Sequence, residues 1–255
     1  MDDIEQQRRH FESIAGKYLQ SRGHPNHLLE KELIWRGFLR DKTFANPLRV
    51  LEPMCGYAEG KHILAHYSGA RIDYTGFDFS ATLVEHARKT DPNANVFVQD
   101  VTTYEPGDKR YDLIILIGGL HHVYRHAQDV IGRLGRALVP GGRFINFEPT
   151  QNNALFRAVR KRIYRRNTLF DADTEQAFDL DELNNLFRGN GFVLEDQIYP
   201  GLLSYILYYN PDAFPALNVG GTGAVRLLHR FDSWCFRNWI GRKFSFATLS
   251  MWRKP

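Results

Sequence analysis

The sequence predicts an α/β protein built on a doubly wound, mostly parallel sheet, and three observations carry that expectation. The apolar run Val50-Leu51-Glu52 opens at once into a small-residue turn, Pro53-Met54-Cys55-Gly56-Tyr57-Ala58-Glu59-Gly60, followed by a helix-like segment over residues 61–67. Strand-like runs ending in acids follow at intervals, Tyr74-Thr75-Gly76-Phe77-Asp78 and Val96-Phe97-Val98-Gln99-Asp100, and a fourth run, Leu113-Ile114-Ile115-Leu116-Ile117, ends in Gly118-Gly119-Leu120-His121-His122. Segments with helical spacing separate these runs, the alternation of a parallel sheet. A nucleotide-like ligand at the carboxyl ends of adjacent strands would meet all of these groups.

Taken in order, residues 9–18 and 28–39 carry apolar side chains at helical spacing (Phe11, Ile14, Ala15 and Tyr18, then Leu28, Leu29, Leu33, Trp35 and Phe38), interrupted at Gly23-His24-Pro25. Further helices are expected at 61–67, at 80–90 with Ser80 as N-cap, and at 127–138, stopped by Pro140 and Gly141. Another is expected at 183–188, opened by Asp179 or Asp181 and closed by residues 189–191. Two segments exceed a minimal sheet-and-helix unit. Residues 154–178 hold Phe156, Val159 and Ile163 on one helical face, beside Arg157, Arg160, Lys161, Arg162, Arg165 and Arg166. Residues 201–242 are rich in Tyr, Phe and Trp. No repeat or low-complexity stretch divides the chain, so one domain over 1–255 is expected, with a helical cap at 1–45, a core at 46–150 and substrate-side lid segments at 151–178 and 201–242.

Composition narrows the function classes. Two cysteines, Cys55 and Cys235, exclude a disulfide framework and a four-cysteine zinc site, and suit a reducing compartment. No metal-ligand set is expected. No apolar run approaches the ~20 residues of a membrane span, and the opening Met1-Asp2-Asp3-Ile4-Glu5 lacks the apolar stretch of a signal peptide, so a cytoplasmic protein is expected. The net charge of +4 is concentrated in the 157–166 run. That run reads first as a solvated helix face, with contact to an anionic substrate or a membrane surface as its alternative.

The residues 50–60, Gly76-Phe77-Asp78-Phe79-Ser80, Gln99-Asp100-Val101, Tyr111-Asp112-Leu113-Ile114, Leu120-His121-His122-Val123 and Leu138-Val139-Pro140-Gly141-Gly142-Arg143-Phe144 resemble, in this order, the class I S-adenosylmethionine (SAM) dependent methyltransferases. The resemblance covers residues 48–149 and extends to Gly191-Phe192-Val193-Leu194-Glu195 and the terminal 244–252. It implies a seven-stranded sheet with an N-terminal helical cover and a helical insertion before the last strand, and SAM as cofactor with S-adenosylhomocysteine as product. It places Glu52 near the ammonium end of the cofactor, Met54, Gly56 and Ala58 around its methionine arm, and Asp78 at its ribose, with Phe79 also among the cofactor-binding residues. Asp100 and Val101 fall at its adenine, Ile117 beside the fourth strand's end, and Tyr18 over the ligand. The family's Gly-x-Gly-x-Gly places are filled here by Met54, Gly56 and Ala58, a departure that leaves open a non-catalytic, interacting relative of the enzymes.

Methyl transfer from a sulfonium asks for alignment, and a hydroxyl acceptor also asks for a base. His122, the recurring histidine of the resembling pattern, is the preferred base, with His121 and Glu148 as further catalytic candidates. A nicotinamide dehydrogenase fits poorly, because its Gly-x-Gly-x-x-Gly fingerprint is missing after the first strand. A nucleic-acid base methyltransferase is disfavoured because Gly118-Gly119-Leu120-His121 stands where an Asn/Asp-Pro-Pro-aromatic motif would be, although the basic run leaves an RNA methyltransferase as a lesser reading. The expected reaction is therefore methylation of a small or medium-sized organic acceptor, most simply at oxygen: a natural product, a sugar or a lipid-linked glycan.

Overall fold

The computed structural model describes residues 12, 16, 22–152, 177–209 and 218–255. Tyr18 and the 157–166 basic run lie outside the described residues.

The first described helix, α1 (Pro25–Leu39), starts where Gly23-His24-Pro25 interrupts the pattern. Proline suits the first helical position because the N–H it lacks has no intrahelical partner there, and His24 Nδ1 accepts the amide of Asn26 at 3.2 Å. Trp35 and Phe38 face inward as their spacing predicts, but Leu28 is 46% exposed. Polar side chains occupy the buried face beside it close to other polar groups: His27 Nδ1 donates to the Tyr209 carbonyl at 2.7 Å, and Glu30 Oε1 lies 2.9 Å from Ser204 Oγ.

Seven strands follow: β1 (Leu48–Pro53), β2 (Ile72–Asp78), β3 (Asn95–Val98), β4 (Tyr111–Ile117), β5 (Leu138–Pro149), β6 (Val193–Ile198) and β7 (Ala247–Arg253). They form one sheet in the order β3-β2-β1-β4-β5-β7-β6. Only β7 runs against its neighbours; the remaining pairs are parallel. Strand alternation sends Leu113 and Ile115 into the core on one face and Ile114 and Leu116 into the core on the other. The first core is closed by α1, α2 (Glu59–Tyr67) and α3 (Ala81–Thr90), the second by α4 (Ala127–Ala137) and α5 (Leu180–Gly189). Between β6 and β7 come a single π-turn (Tyr205–Tyr209), α6 (Thr222–Ser233) and α7 (Trp239–Phe244), the helical insertion expected there.

Local caps place these helices. Ser80 Oγ accepts the amide of Leu83 at 3.3 Å at the start of α3. Asp179, rather than Asp181, opens α5, in a capping box with Glu182. The end of α4 differs from expectation. The helix stops at Ala137, and Leu138 is already extended and begins β5. Pro140 and Gly141 lie inside that strand, at an irregularity where the pairing jumps from Tyr111–Leu138 to Leu113–Arg143. A bulge suits them because proline has no ladder N–H to lose, and Gly141, at φ 75°, turns its amide to the Lys254 carbonyl at 3.0 Å.

Candidate active site

The chain leaves β1 and β4, neighbours in the sheet, toward opposite sides, and this opens a crevice at their carboxyl ends. The turn after β1 lies in that crevice. Met54, Gly56 and Ala58 have φ of 53°, 53° and 65°. All three alternate positions are thus left-handed, the conformation glycine adopts freely, although only one is glycine. For the other two the left-handed backbone costs about 1–2 kcal/mol each. Packing offsets it. Ala58 is buried at 1% exposure, and Met54 extends toward Gly119, where a Cβ would stand 2.9 Å from its Sδ. A Cβ on Gly56 would meet nothing within 4 Å, so the turn keeps an open side.

The amides of this turn are largely spent within the protein. Cys55 N–H donates to the Phe77 carbonyl at 2.9 Å and Ala58 N–H to that of Cys55 at 2.8 Å. Gly56 N–H donates to Asp78 Oδ2 at 2.9 Å. Glu52 collects the start of α2, accepting from Gly60 N–H at 2.8 Å and Lys61 N–H at 3.2 Å. Tyr74, which the sequence marked only as a strand residue, donates its hydroxyl to Glu52 at 2.6 Å. Burial pushes the Glu52 carboxyl up to about 8 despite these donors. Gly60 is required for this arrangement, since a Cβ there would lie 2.8 Å from Glu52 Cδ.

Asp78 ends β2 and bridges two elements, accepting from Gly56 and, at 2.9 Å, from Ser80 N–H. Burial raises its pKa, opposed by these amides and by the nearby His122. An ionised carboxylate offers about four acceptor positions, so two amides leave room for further donors. Glu12, which sequence reasoning did not single out, accepts from Ser80 Oγ at 3.0 Å and from Thr82 beside this carboxylate. Asp100 is half-buried after β3; its Oδ1 accepts from Thr102 N–H at 2.7 Å and Thr102 Oγ1 at 2.8 Å. Val101 beside it is buried, while Phe79 and Ile117 are half-buried at the ends of β2 and β4.

The loop after β4 is organised by Glu148, a wholly buried carboxylate near the end of β5. Its Oε1 accepts from Gly119 N–H at 2.9 Å and Leu120 N–H at 2.8 Å. Its Oε2 lies 2.9 Å from His121 Nδ1. Asn146, also absent from the sequence reading, donates to Oε1 at 3.3 Å. The rings of His121 and His122 are 3.8 Å apart, and Glu148 holds the ring of His121. An aromatic wall stands at the same end of β5: Phe147 packs edge-on against Tyr205 at 6.0 Å and Tyr209 at 5.4 Å. No local sequence pattern pairs Glu148 with His121, which are 27 residues apart.

Residues 50–142 match a family described as a methyltransferase domain. Trans-aconitate 2-methyltransferase from Variovorax paradoxus is 35% identical over 95 residues, 37% of this chain and 36% of that protein, so the chain spans about a third of that relative's length. Demethylmenaquinone methyltransferase from Staphylococcus haemolyticus is 26% identical over 204 residues, 71% of this chain and 83% of that protein. Among solved structures, a cyclopropane synthase from Mycobacterium tuberculosis superposes with a TM-score of 0.61 at 14% identity, over 88% of this chain and 83% of that one, a likeness of fold. Domain match, sheet order and the acids near the ends of adjacent strands agree: the chain has the fold of the class I SAM-dependent methyltransferases, and its residues 50–142 match a methyltransferase domain.

Proposed function

We propose that the chain methylates an oxygen of a small or medium-sized organic acceptor, with His121 as general base and Glu148 as the group that positions it. The observation that carries this reading is the 2.9 Å contact between His121 Nδ1 and a carboxylate whose other oxygen is fixed by two loop amides. The two curated relatives are named for trans-aconitate and demethylmenaquinone, both small organic molecules, which supports an acceptor of that size.

The residues around the crevice fit SAM. Asp78 at the end of β2 and Asp100 just beyond the adjacent β3 have acceptor capacity left for a ribose diol and an adenine amino group. Val101, Phe79 and Ile117 supply apolar surface for the base, and the open side of Gly56 admits the methionine arm. Glu52 serves by holding the α2 start and the turn in place, rather than by facing the ammonium. Bound there, SAM supplies a methyl group on a sulfonium whose departure leaves a neutral thioether.

What the chain contributes is position and a proton acceptor. With Nδ1–H donated to Glu148, the lone pair of His121 sits on Nε2. That nitrogen takes the acceptor hydroxyl proton as the oxygen–methyl bond forms, and the resulting imidazolium faces the Glu148 carboxylate. A base so placed contributes roughly 10²–10⁴ in rate. Calorimetric titration tests the first half of the reading. Micromolar binding of SAM and S-adenosylhomocysteine is expected, with none of NAD, and with binding lost in Asp78→Ala. Failure of both cofactor forms to bind the wild-type chain would overturn it. Turnover of oxygen acceptors that is lost in His121→Gln tests the second half.

A further inference from the structure

The outer face of α6 contributes none of the residues named in this chemistry. On α6, Leu227, Phe231 and Trp234 follow at intervals of four and three residues and so share one face. They are 56%, 54% and 69% exposed. The inward side of the helix is set by Val225 and by Asp232, whose carboxylate accepts from Ser204 N–H at 2.6 Å and Ser204 Oγ at 2.7 Å. The helix therefore turns its one acid inward and a large apolar ridge outward, the reverse of an ordinary surface helix.

Beside the ridge runs a cationic stripe. Arg226 and Arg230, each one residue before an apolar ridge position, are exposed. They line a groove of about 650 Å3 between α6 and α1, together with Arg36, Arg40, Arg237 and Trp234. Among the described residues no aspartate or glutamate lines it. Arg36 pairs with Glu32 at 3.2 Å, and Arg237 with Asp196, outside the groove lining. Among the described residues no carboxylate pairs with Arg40, Arg226 or Arg230.

We propose that α6 is a membrane-docking helix: its Leu227–Phe231–Trp234 ridge enters the interface of an anionic bilayer, and the arginines of the adjoining groove take the lipid phosphates. Charge complementarity and ridge geometry single out this occupant. Arginine stems lie along apolar surface while their guanidinium groups reach the headgroups, and tryptophan favours the boundary between headgroup and acyl chain. A nucleic acid would use flat aromatic faces as stacking platforms. Phe231 and Trp234 instead pack against each other edge to face, at 75°, and Leu227 offers no ring. The proposal rests on this surface alone and stands whatever the acceptor is.

The test is cosedimentation of the full chain with sucrose-loaded vesicles, of phosphatidylcholine alone or with 30% phosphatidylglycerol, at low and high salt. Binding to the anionic vesicles only, weakened by salt, is expected. At about 1 kcal/mol per cation near such a surface, Arg226→Gln with Arg230→Gln lowers partitioning roughly 30-fold, with SAM binding and thermal midpoint unchanged. Trp35 and Trp252 are fully buried while Trp234 and Trp239 are 69% and 68% exposed. In a Trp239→Phe background, a blue shift on vesicle binding therefore reports Trp234 entering the interface. Equal binding to both vesicle types, binding indifferent to the arginine substitutions, no blue shift, or full displacement by single-stranded RNA would each overturn the proposal.

Discussion

Gly119 keeps open the space that Met54 fills: a Cβ on Gly119 would stand 2.9 Å from Met54 Sδ and 3.3 Å from Met54 Cβ. A bulky residue in the turn after β1 is thus matched by the absence of one in the loop after β4. Gly119→Ala is expected to destabilise the fold by about 1–3 kcal/mol through overpacking. In a Met54→Gly background the loss shrinks without vanishing, because Leu116 Cδ2 also lies 2.9 Å from the added Cβ. Urea unfolding of the four proteins in this cycle measures the coupling, expected above about 0.5 kcal/mol. A value near zero would mean that Met54 simply swings aside.

Ala58 poses a balance of opposed terms. Replacing it by glycine relieves about 1–2 kcal/mol of left-handed strain. It also removes a buried methyl worth about 0.8 kcal/mol and adds unfolded-chain freedom worth about 0.5–1 kcal/mol. Ala58→Gly is therefore expected to leave stability within about 0.5 kcal/mol of wild type, the middle of what these terms allow. A stabilisation above about 1 kcal/mol would show that the methyl contributes little to packing.

The two loop histidines separate by kinetics. His121→Gln is expected to lower kcat by roughly 10²–10⁴ while SAM affinity stays within about twofold, the signature of an interaction made only in the transition state. Glu148→Gln keeps an acceptor for the Gly119 and Leu120 amides but removes the charge facing His121. The acid limb of its pH–rate profile should move to lower pH, since an imidazolium without its carboxylate loses its proton more readily. His122→Gln is the comparison. If it loses the turnover and His121→Gln does not, the base is the histidine that the sequence pattern preferred.

Stability should depend on pH through two buried groups acting in opposite directions. Burial holds the His27 imidazole down at about 3, against ~6.5 in an unfolded chain. Its contribution is complete above ~6.5 and is lost as pH falls toward 3, because the unfolded state then takes up a proton that the folded state refuses. Glu52 is raised to about 8, against ~4.3 unfolded. Its contribution is complete below ~4.3 and is lost as pH rises toward 8. Urea midpoints between pH 5 and 8 should therefore lose acid sensitivity in His27→Gln and alkaline sensitivity in Glu52→Gln. Unchanged slopes in either variant would place the linkage elsewhere.

Asp179 offers a purely local check. As the N-cap of α5 with Glu182 in a capping box, its replacement by alanine should cost about 0.5–2 kcal/mol. Asp181→Ala, one turn position inside the helix, should cost less, and an inverted order would contradict the observed cap.

The sequence by itself determined what depends on local order and spacing. Apolar runs ending in Glu52, Asp78 and Asp100 became the ends of β1, β2 and the loop after β3, because strand alternation and turn chemistry are properties of neighbouring residues. The small-residue turn, the Ser80 cap and the helical insertion before β7 were legible for the same reason. The end of α4 was misread because Pro140 and Gly141 mark a bulge as readily as a helix stop, and only pairing with β4 and the amide bond to Lys254 distinguishes the two. Tertiary structure alone decided the partnerships of residues far apart in the chain. Tyr74 reaches Glu52 across β2 and β1, Met54 projects toward Gly119, and Glu148 holds the ring of His121. It also turned Leu227, Phe231 and Trp234 outward, because the inward face of α6 was claimed by the hydrogen bonds of Asp232. A hydrogen bond or a filled space needs two groups brought together by the whole fold, and no spacing along the chain encodes that meeting.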